Sequence, residues 1–286
     1  YELTYGDWSS DVCSSDLGNH KTSIRTSTMK LLILSALVAF AAAAPAPELL
    51  PVITFDSYII GGAPAQIADY PYQSSLRYTG SHTCGSVIMG TTRALTAAHC
   101  VDGRPASGFS MYSGSNSRLT GGVATASLTH EGHADYNNGA CTFCNDIAML
   151  TFATLSGANI GPGTLPPAGN DFAGTTCTLT GWGRTSSSNV LPEMLMGVDM
   201  PVITNADCQT RMNPVSGATV GIAHICIYDG SAGSCNGDSG GPMTCEGTIA
   251  GVTSWGVSSG GACLQTYPSV YCRVTTFLDW INDRLP

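Results

Sequence analysis

Apolar residues change their spacing three times along the chain. Leu31 to Ala44 is an unbroken apolar and small-residue run of 14 residues, preceded by Met29 and a single positive charge at Lys30. Pro45 to Tyr58 has no helical or strand period. From Ile59 onward, short apolar stretches alternate with glycine-rich breaks. That pattern predicts many short strands joined by turns rather than helices. Thr275 to Leu285 departs from it: Phe277, Leu278, Ile281 and Leu285 recur at helical spacing, which predicts a terminal helix.

The 14-residue run is too short to cross a bilayer. With its basic start and small-residue end it has the layout of a secretory signal, assigned to residues 29–45. A signal begins at its methionine, so residues 1–28 need another origin. Asp7 to Leu17 resembles the in-frame translation of a sequencing-library adapter, and Gly18 to Thr28 then reads as translated upstream sequence. On that reading Cys13 is not part of the protein, and eleven cysteines remain; the alternative is a genuine N-terminal extension. Residues 46–58 read as a propeptide and residues 59–286 as the mature domain.

Composition narrows the function classes. Hydrophobic residues are 43% of the chain and charged residues 11%, a balance that fits a well-buried globular protein. The net charge of −9 disfavours nucleic acid and anionic membranes as partners. From Ile59 on there are 14 acidic and 8 basic residues, all eight of them arginine. Twelve cysteines behind a signal-like segment indicate an oxidising compartment, so the protein is expected to be secreted and extracellular. They are not grouped as paired CxxC motifs, so no zinc site or other metal is expected.

Three motifs carry candidate chemistry: Leu95-Thr-Ala-Ala-His99-Cys100, Asn145-Asp146-Ile-Ala-Met-Leu150, and Gly237-Asp238-Ser239-Gly240-Gly241-Pro242. Hydrolysing a peptide bond needs a nucleophile, a base to activate it and donors for the developing oxyanion. A serine hydroxyl needs an imidazole to take its proton. The imidazole needs a carboxylate to fix its tautomer. The glycines around Ser239 allow a tight turn that aims the N–H groups of Gly237 and Ser239 at one point. Each motif alone is ambiguous, since a lone His, an Asn-Asp pair or a glycine run is usually structural. Together, in the order His, Asp, Ser, they point to nucleophilic acyl transfer.

On these motifs the chain resembles the chymotrypsin-like serine peptidases from Ile59 to Pro286. The resemblance implies two antiparallel six-stranded barrels with the active site between them and a C-terminal helix, an all-β fold. It implies a secreted, digestive serine endopeptidase with His99, Asp146 and Ser239 as triad and Gly237 and Ser239 as oxyanion hole. It also implies disulfides Cys84–Cys100, Cys177–Cys245, Cys208–Cys226 and Cys235–Cys263. Gly181-Trp182-Gly183 and Ser254-Trp255-Gly256 stand where the family places such motifs.

The family's primary specificity position, six residues before the nucleophile, is Gly233, followed by Ser234; a second pocket position is Ser269. With no acidic residue at either, cleavage after Lys or Arg is not expected. Ser254, Trp255 and Gly256 complete the substrate-binding set, and Gly256 should leave one wall open. The expected preference is for Phe, Tyr, Leu or Met; an elastase-like preference for smaller residues is the alternative. Ile59-Ile-Gly-Gly62 resembles the terminus freed on activation, whose amino group would pair with Asp238. The residue before it is Tyr58, where Arg or Lys is common, which points to activation by a chymotrypsin-like enzyme or by the protein itself.

Cys141, Cys144 and Cys272 have no partner in the implied bridges. A clamp from Cys141 or Cys144 to Cys272 is slightly favoured over a local Cys141–Cys144 pair with Cys272 as a buried thiol. Tyr271 is expected to line the pocket, with Cys272 turned to the opposite side. The expected partners are protein and peptide substrates and protein inhibitors, with a monomeric chain and no cofactor. A catalytically inactive homologue acting as a binding module is the competing class, but all three triad types are retained. A metal-dependent hydrolase lacks an HExxH motif.

Overall fold

The first barrel is built from strands whose apolar side chains meet in one cluster. A computed structural model of the protein describes residues 59–185 and 190–286; the adapter-like, signal and propeptide segments lie outside the described residues. After a two-residue strand β1 (Ala63–Pro64), six strands follow: β2 (Gln73–Tyr78), β3 (Ser81–Ile88), β4 (Arg93–Thr96), β5 (Phe109–Ser113), β6 (Val123–Gly132) and β7 (Ala148–Phe152). They close in the order β2-β3-β4-β7-β6-β5, every pairing antiparallel. Leu76, Val87, Leu95, Met111 and Leu150 fill the interior. Closure leaves this sheet without an unpaired edge.

The second barrel uses β8 (Thr176–Gly181), β9 (Met196–Ile203), β10 (His224–Ile227), β11 (Pro242–Cys245), β12 (Thr248–Trp255) and β15 (Ser269–Arg273). Between the last two lies a small hairpin of β13 (Ser258–Ser259) and β14 (Ala262–Cys263). The order β9-β10-β15-β12-β11-β8 closes by β8 pairing with β9, while β1 adds to β9 from outside. Leu179, Met196, Ile225, Met243 and Tyr271 pack the interior. Two six-stranded antiparallel barrels are therefore present, as expected from the sequence.

The junction explains why β12 is buried from Ile249 to Trp255. Ile249 and Val252 join the first barrel's cluster, whereas Ala250 joins the second's. A bulge in the β11–β12 pairing shifts the alternation between them. The chain end also crosses over. A 3₁₀ turn at Val274–Phe277 leads into the helix Leu278–Asn282, and Phe277, Leu278, Ile281 and Leu285 pack on the first barrel. The helix proper is shorter than the 275–285 pattern predicted. The β-branched pair Thr275-Thr276 falls in the tighter entry turn, although backbone bonds from Arg284 and Leu285 to Ile281 carry helical pairing onward.

Cys84–Cys100, Cys177–Cys245, Cys208–Cys226 and Cys235–Cys263 are all bonded. The favoured clamp to Cys272 is not formed. Positive φ angles at Phe143 and Asn145 fold the 141–145 loop back on itself, bringing the Cys141 and Cys144 Cα atoms within 5.1 Å, and these two bond to each other. Cys272 is a free thiol on β15, 1% exposed. Burial, with the Asp146 charge nearby, pushes that thiol up. Tyr271 also departs from expectation: it is sealed in the second barrel's interior instead of lining the pocket. Among the described residues, no helix is long and apolar enough to cross a membrane.

Candidate active site

His99 sits on a single 3₁₀ turn, Ala98–Cys100, directly after β4. The Cys84–Cys100 bond ties that turn to β3. Asp146 stands just before β7, at the end of the loop closed by Cys141–Cys144. The two meet closely: His99 Nδ1 lies 2.7 Å from Asp146 Oδ2, and the His99 N–H donates to Asp146 Oδ1 at 2.9 Å. Ser254, from β12 of the other barrel, donates its hydroxyl to Asp146 Oδ2 at 2.6 Å. Asp146 is 1% exposed. Burial works against its charge, but His99 and the Ser254 hydroxyl outweigh it and hold the carboxyl below the ordinary carboxylate value. An ionised Asp146 accepts at both oxygens, which fixes the proton of a neutral His99 on Nδ1 and leaves Nε2 as the free basic nitrogen.

Ser239 comes from the second barrel but rests on the first. Its carbonyl accepts from the Gly85 N–H at 2.7 Å. Gly240, at φ +78°, packs so closely that a Cβ there would overlap Thr96 Oγ1 and lie 2.6 Å from the Gly85 carbonyl oxygen. Only glycine fits that contact and that φ. Gly237 has φ +100°, and its carbonyl is 2.9 Å from His82 Nε2. His82 Nδ1 lies 2.7 Å from Ser75 Oγ. Burial lowers His82 to about 4, so a neutral ring donates to Gly237 and braces the turn from below. In the turn, the N–H groups of Asp238, Gly240 and Gly241 are taken by backbone carbonyls. Among the described residues, those of Gly237 and Ser239 have no protein acceptor.

Asp238 is 3% exposed and accepts from the Gly183 N–H at 2.7 Å and the Cys235 N–H at 3.0 Å. Gly181 and Gly183 make room for it, since a Cβ on either would overlap the carboxylate. Burial pushes its carboxyl up to about 7, against those two hydrogen bonds. Ile59 is fully buried beside Ala232, and the Ile60 carbonyl accepts from the Gly233 N–H at 3.1 Å.

His99 and Ser239 open into one cleft that also contains Ser234, Ser254, Trp255, Gly256 and Ser269. Gly233 is not itself among the lining residues and lies behind the floor: a Cβ there would overlap Gln265 Oε1 and lie 2.6 Å from Ser269 Oγ, which accepts from the Ser234 N–H at 3.1 Å. Gly256 has nothing within 4 Å of an added Cβ, so that wall is open. The residues lining the cleft include no Asp, Glu, Lys or Arg. Phe143, whose ring meets His99 edge-on at 6.2 Å, and Gln265 were not singled out in the sequence. Both lie on loops, where side-chain direction has no periodic signal. His99 also stands near Cys84 and Cys100, but those sulfurs are bonded to each other and offer no thiolate to a metal.

The family model described as Trypsin matches residues 59–281. The chain is 45% identical over 239 residues to a fibrinolytic enzyme, isozyme C, of Lumbricus rubellus, covering 79% of this chain and 99% of that protein. It is 38% identical over 237 residues to a chymotrypsin-like serine proteinase of Haliotis rufescens, covering 79% and 91% respectively. It is 33% identical over 258 residues to trypsin alpha-4 of Lucilia cuprina, covering 88% and 97%. Likeness of that extent, over the whole of both barrels, makes the chain a member of the trypsin family and a serine endopeptidase.

Proposed function

We propose that His99, Asp146 and Ser239 are the catalytic triad of a secreted, digestive endopeptidase that cleaves after large apolar residues. The observation that carries the triad is the 2.7 Å pairing of His99 Nδ1 with a buried Asp146, at the mouth of the cleft that Ser239 enters. Ser239 Oγ attacks the scissile carbonyl carbon while His99 Nε2 takes the hydroxyl proton. The N–H groups of Gly237 and Ser239 receive the oxyanion. The tetrahedral intermediate collapses, the C–N bond breaks, and His99 returns the proton to the leaving amine. Water, deprotonated by the same nitrogen, then hydrolyses the acyl-enzyme ester. Asp146 stays ionised throughout and stabilises the imidazolium.

The open wall at Gly256 and a cleft without ionised side chains support a preference for Phe, Tyr, Leu or Met. Ser269 at the floor favours a second reading, a shorter slot that takes smaller residues. The signal-like segment and the cysteine content support secretion. Cleavage before Ile59 would free an amino group to pair with Asp238, whose buried carboxylate has only N–H partners among the described residues. Purified Tyr58→Gly chain that matures at the wild-type rate would count against activation by an enzyme of this specificity.

The decisive test is to map cleavages of a peptide library by the chain beginning at Ile59, with Ser239→Ala as control. Cuts after Phe, Tyr, Leu or Met that vanish in the control are expected. Cuts after Arg or Lys would overturn the pocket reading, and Ser239-independent cutting would overturn the triad.

A further inference from the structure

The cleft floor contains a polar group that the chemistry of bond cleavage does not use. Gln265 follows β14 and turns its carboxamide over Gly233, into the space a side chain at that position would fill. Ser269 Oγ reaches the same point from β15. Ser269 already accepts from the Ser234 N–H, which leaves its own hydrogen to donate. Among the described residues, no protein group pairs with the Gln265 carboxamide. A carboxamide offers two donors and an acceptor with two lone pairs. The floor is thus neutral, polar and unsaturated, while the walls above it are Trp255, Val257 and the open side at Gly256.

We infer that Gln265, seated on Gly233 beside Ser269, makes this pocket select a substrate side chain whose tip forms hydrogen bonds, tyrosine over phenylalanine. The inference rests on the large-apolar-pocket reading and deepens it. Water solvates such groups in an open cleft. A phenylalanine ring that enters displaces that water and leaves the carboxamide unpaired. A tyrosine ring of the same width replaces the water with its hydroxyl, donating to Oε1 or accepting from Nε2. A pocket built to pair a hydroxyl discriminates against the isostere lacking it far better than an apolar pocket separates two alkyl groups. The residue before Ile59 is Tyr58, so the chain's own junction presents the side chain that this floor would take.

The test is kcat/KM for peptides that differ in one residue, Tyr, Phe, Leu, Ala or Arg before the scissile bond, with the chain beginning at Ile59 and with its Gln265→Leu and Gln265→Glu variants. Active-site titration of Ser239 counts folded enzyme in each. The wild type is expected to favour Tyr over Phe by about tenfold, the effect of one neutral hydrogen bond. Gln265→Leu, of similar volume, should bring the ratio to about one, with the loss on the tyrosine peptide. Gln265→Glu places a carboxylate on the floor and should raise cleavage after Arg by at least about tenfold relative to Phe. Equal rates on Tyr and Phe in the wild type, or a ratio unmoved by Gln265→Leu, would overturn the role of Gln265 while leaving the pocket reading intact. So would a Gln265→Glu variant that gains no cleavage after Arg. Wild-type cleavage only after Ala, or after Arg, would instead overturn the pocket reading beneath it.

Discussion

Asp238 should make the uncut and cut chains respond to pH in opposite directions if a freed Ile59 amino group pairs with it. In the uncut chain its buried carboxyl is raised from 3.8 to about 7 and has only two N–H donors. Between those values the folded state holds a proton that the unfolded state has released. Stability from this group is therefore complete below pH 4 and is lost as pH rises through 7. At 1.36 kcal/mol per pKa unit, the loss is about 4 kcal/mol at most. A freed Ile59 amino group would supply the missing cation, lower the carboxyl and reverse the slope. The assay is urea denaturation from pH 4 to pH 8 in the Ser239→Ala background, which prevents self-cleavage. The uncut chain should lose up to about 4 kcal/mol relative to its Asp238→Asn variant over this range, and the chain beginning at Ile59 should not. An uncut chain whose difference from Asp238→Asn is flat with pH would refute the reasoning, because Asp238 would then be hydrated or already paired.

Ser254→Ala removes the hydroxyl that donates to Asp146 Oδ2, a charge-assisted bond, and steady-state kinetics should show kcat/KM lower by about tenfold; a fall under about twofold would reduce Ser254 to a wall of the pocket. Gly240→Ala forces a Cβ into Thr96 and the Gly85 carbonyl at φ +78°, so urea denaturation should register a loss of at least about 2 kcal/mol. In the chain beginning at Ile59, iodoacetamide should leave the native protein unlabelled and add one equivalent, at Cys272, after non-reducing unfolding. Rapid labelling of the native protein would mean that Cys272 is exposed.

The motifs around His99, Asp146 and Ser239 were legible because short, rigid segments carry their own geometry. A His on one turn between strands, an Asp at a strand entry and a Ser flanked by glycines each need specific residues at fixed offsets. The apolar pattern by itself made the barrels legible only as many short strands, and their closure came from the family resemblance, because it depends on long-range pairings such as β8 with β9. The local Cys141–Cys144 bond depends on positive φ values at Phe143 and Asn145, and although asparagine often adopts that conformation, phenylalanine gives no sign of it. Tyr271 was misplaced for a related reason. Tyr271 and Cys272 do alternate along β15, but the side that Tyr271 takes is the second barrel's core rather than the pocket, which period alone does not reveal. Gln265 and His82 escaped because each acts through a long-range contact, to Gly233 and to Gly237 respectively.

The seat of Ser239 on Gly85 and Thr96 separates two jobs that one cleft must perform. Ser239 is anchored to the barrel that also supplies His99 and Asp146, so the three side chains share one frame. Apart from His99 and Phe143, the residues lining the cleft come from the other barrel. Segments such as 256–268 can therefore lengthen, shorten or exchange side chains without disturbing the alignment of His99, Asp146 and Ser239. Recognition is interchangeable in this architecture, and a change of preferred side chain requires no change at His99, Asp146 or Ser239.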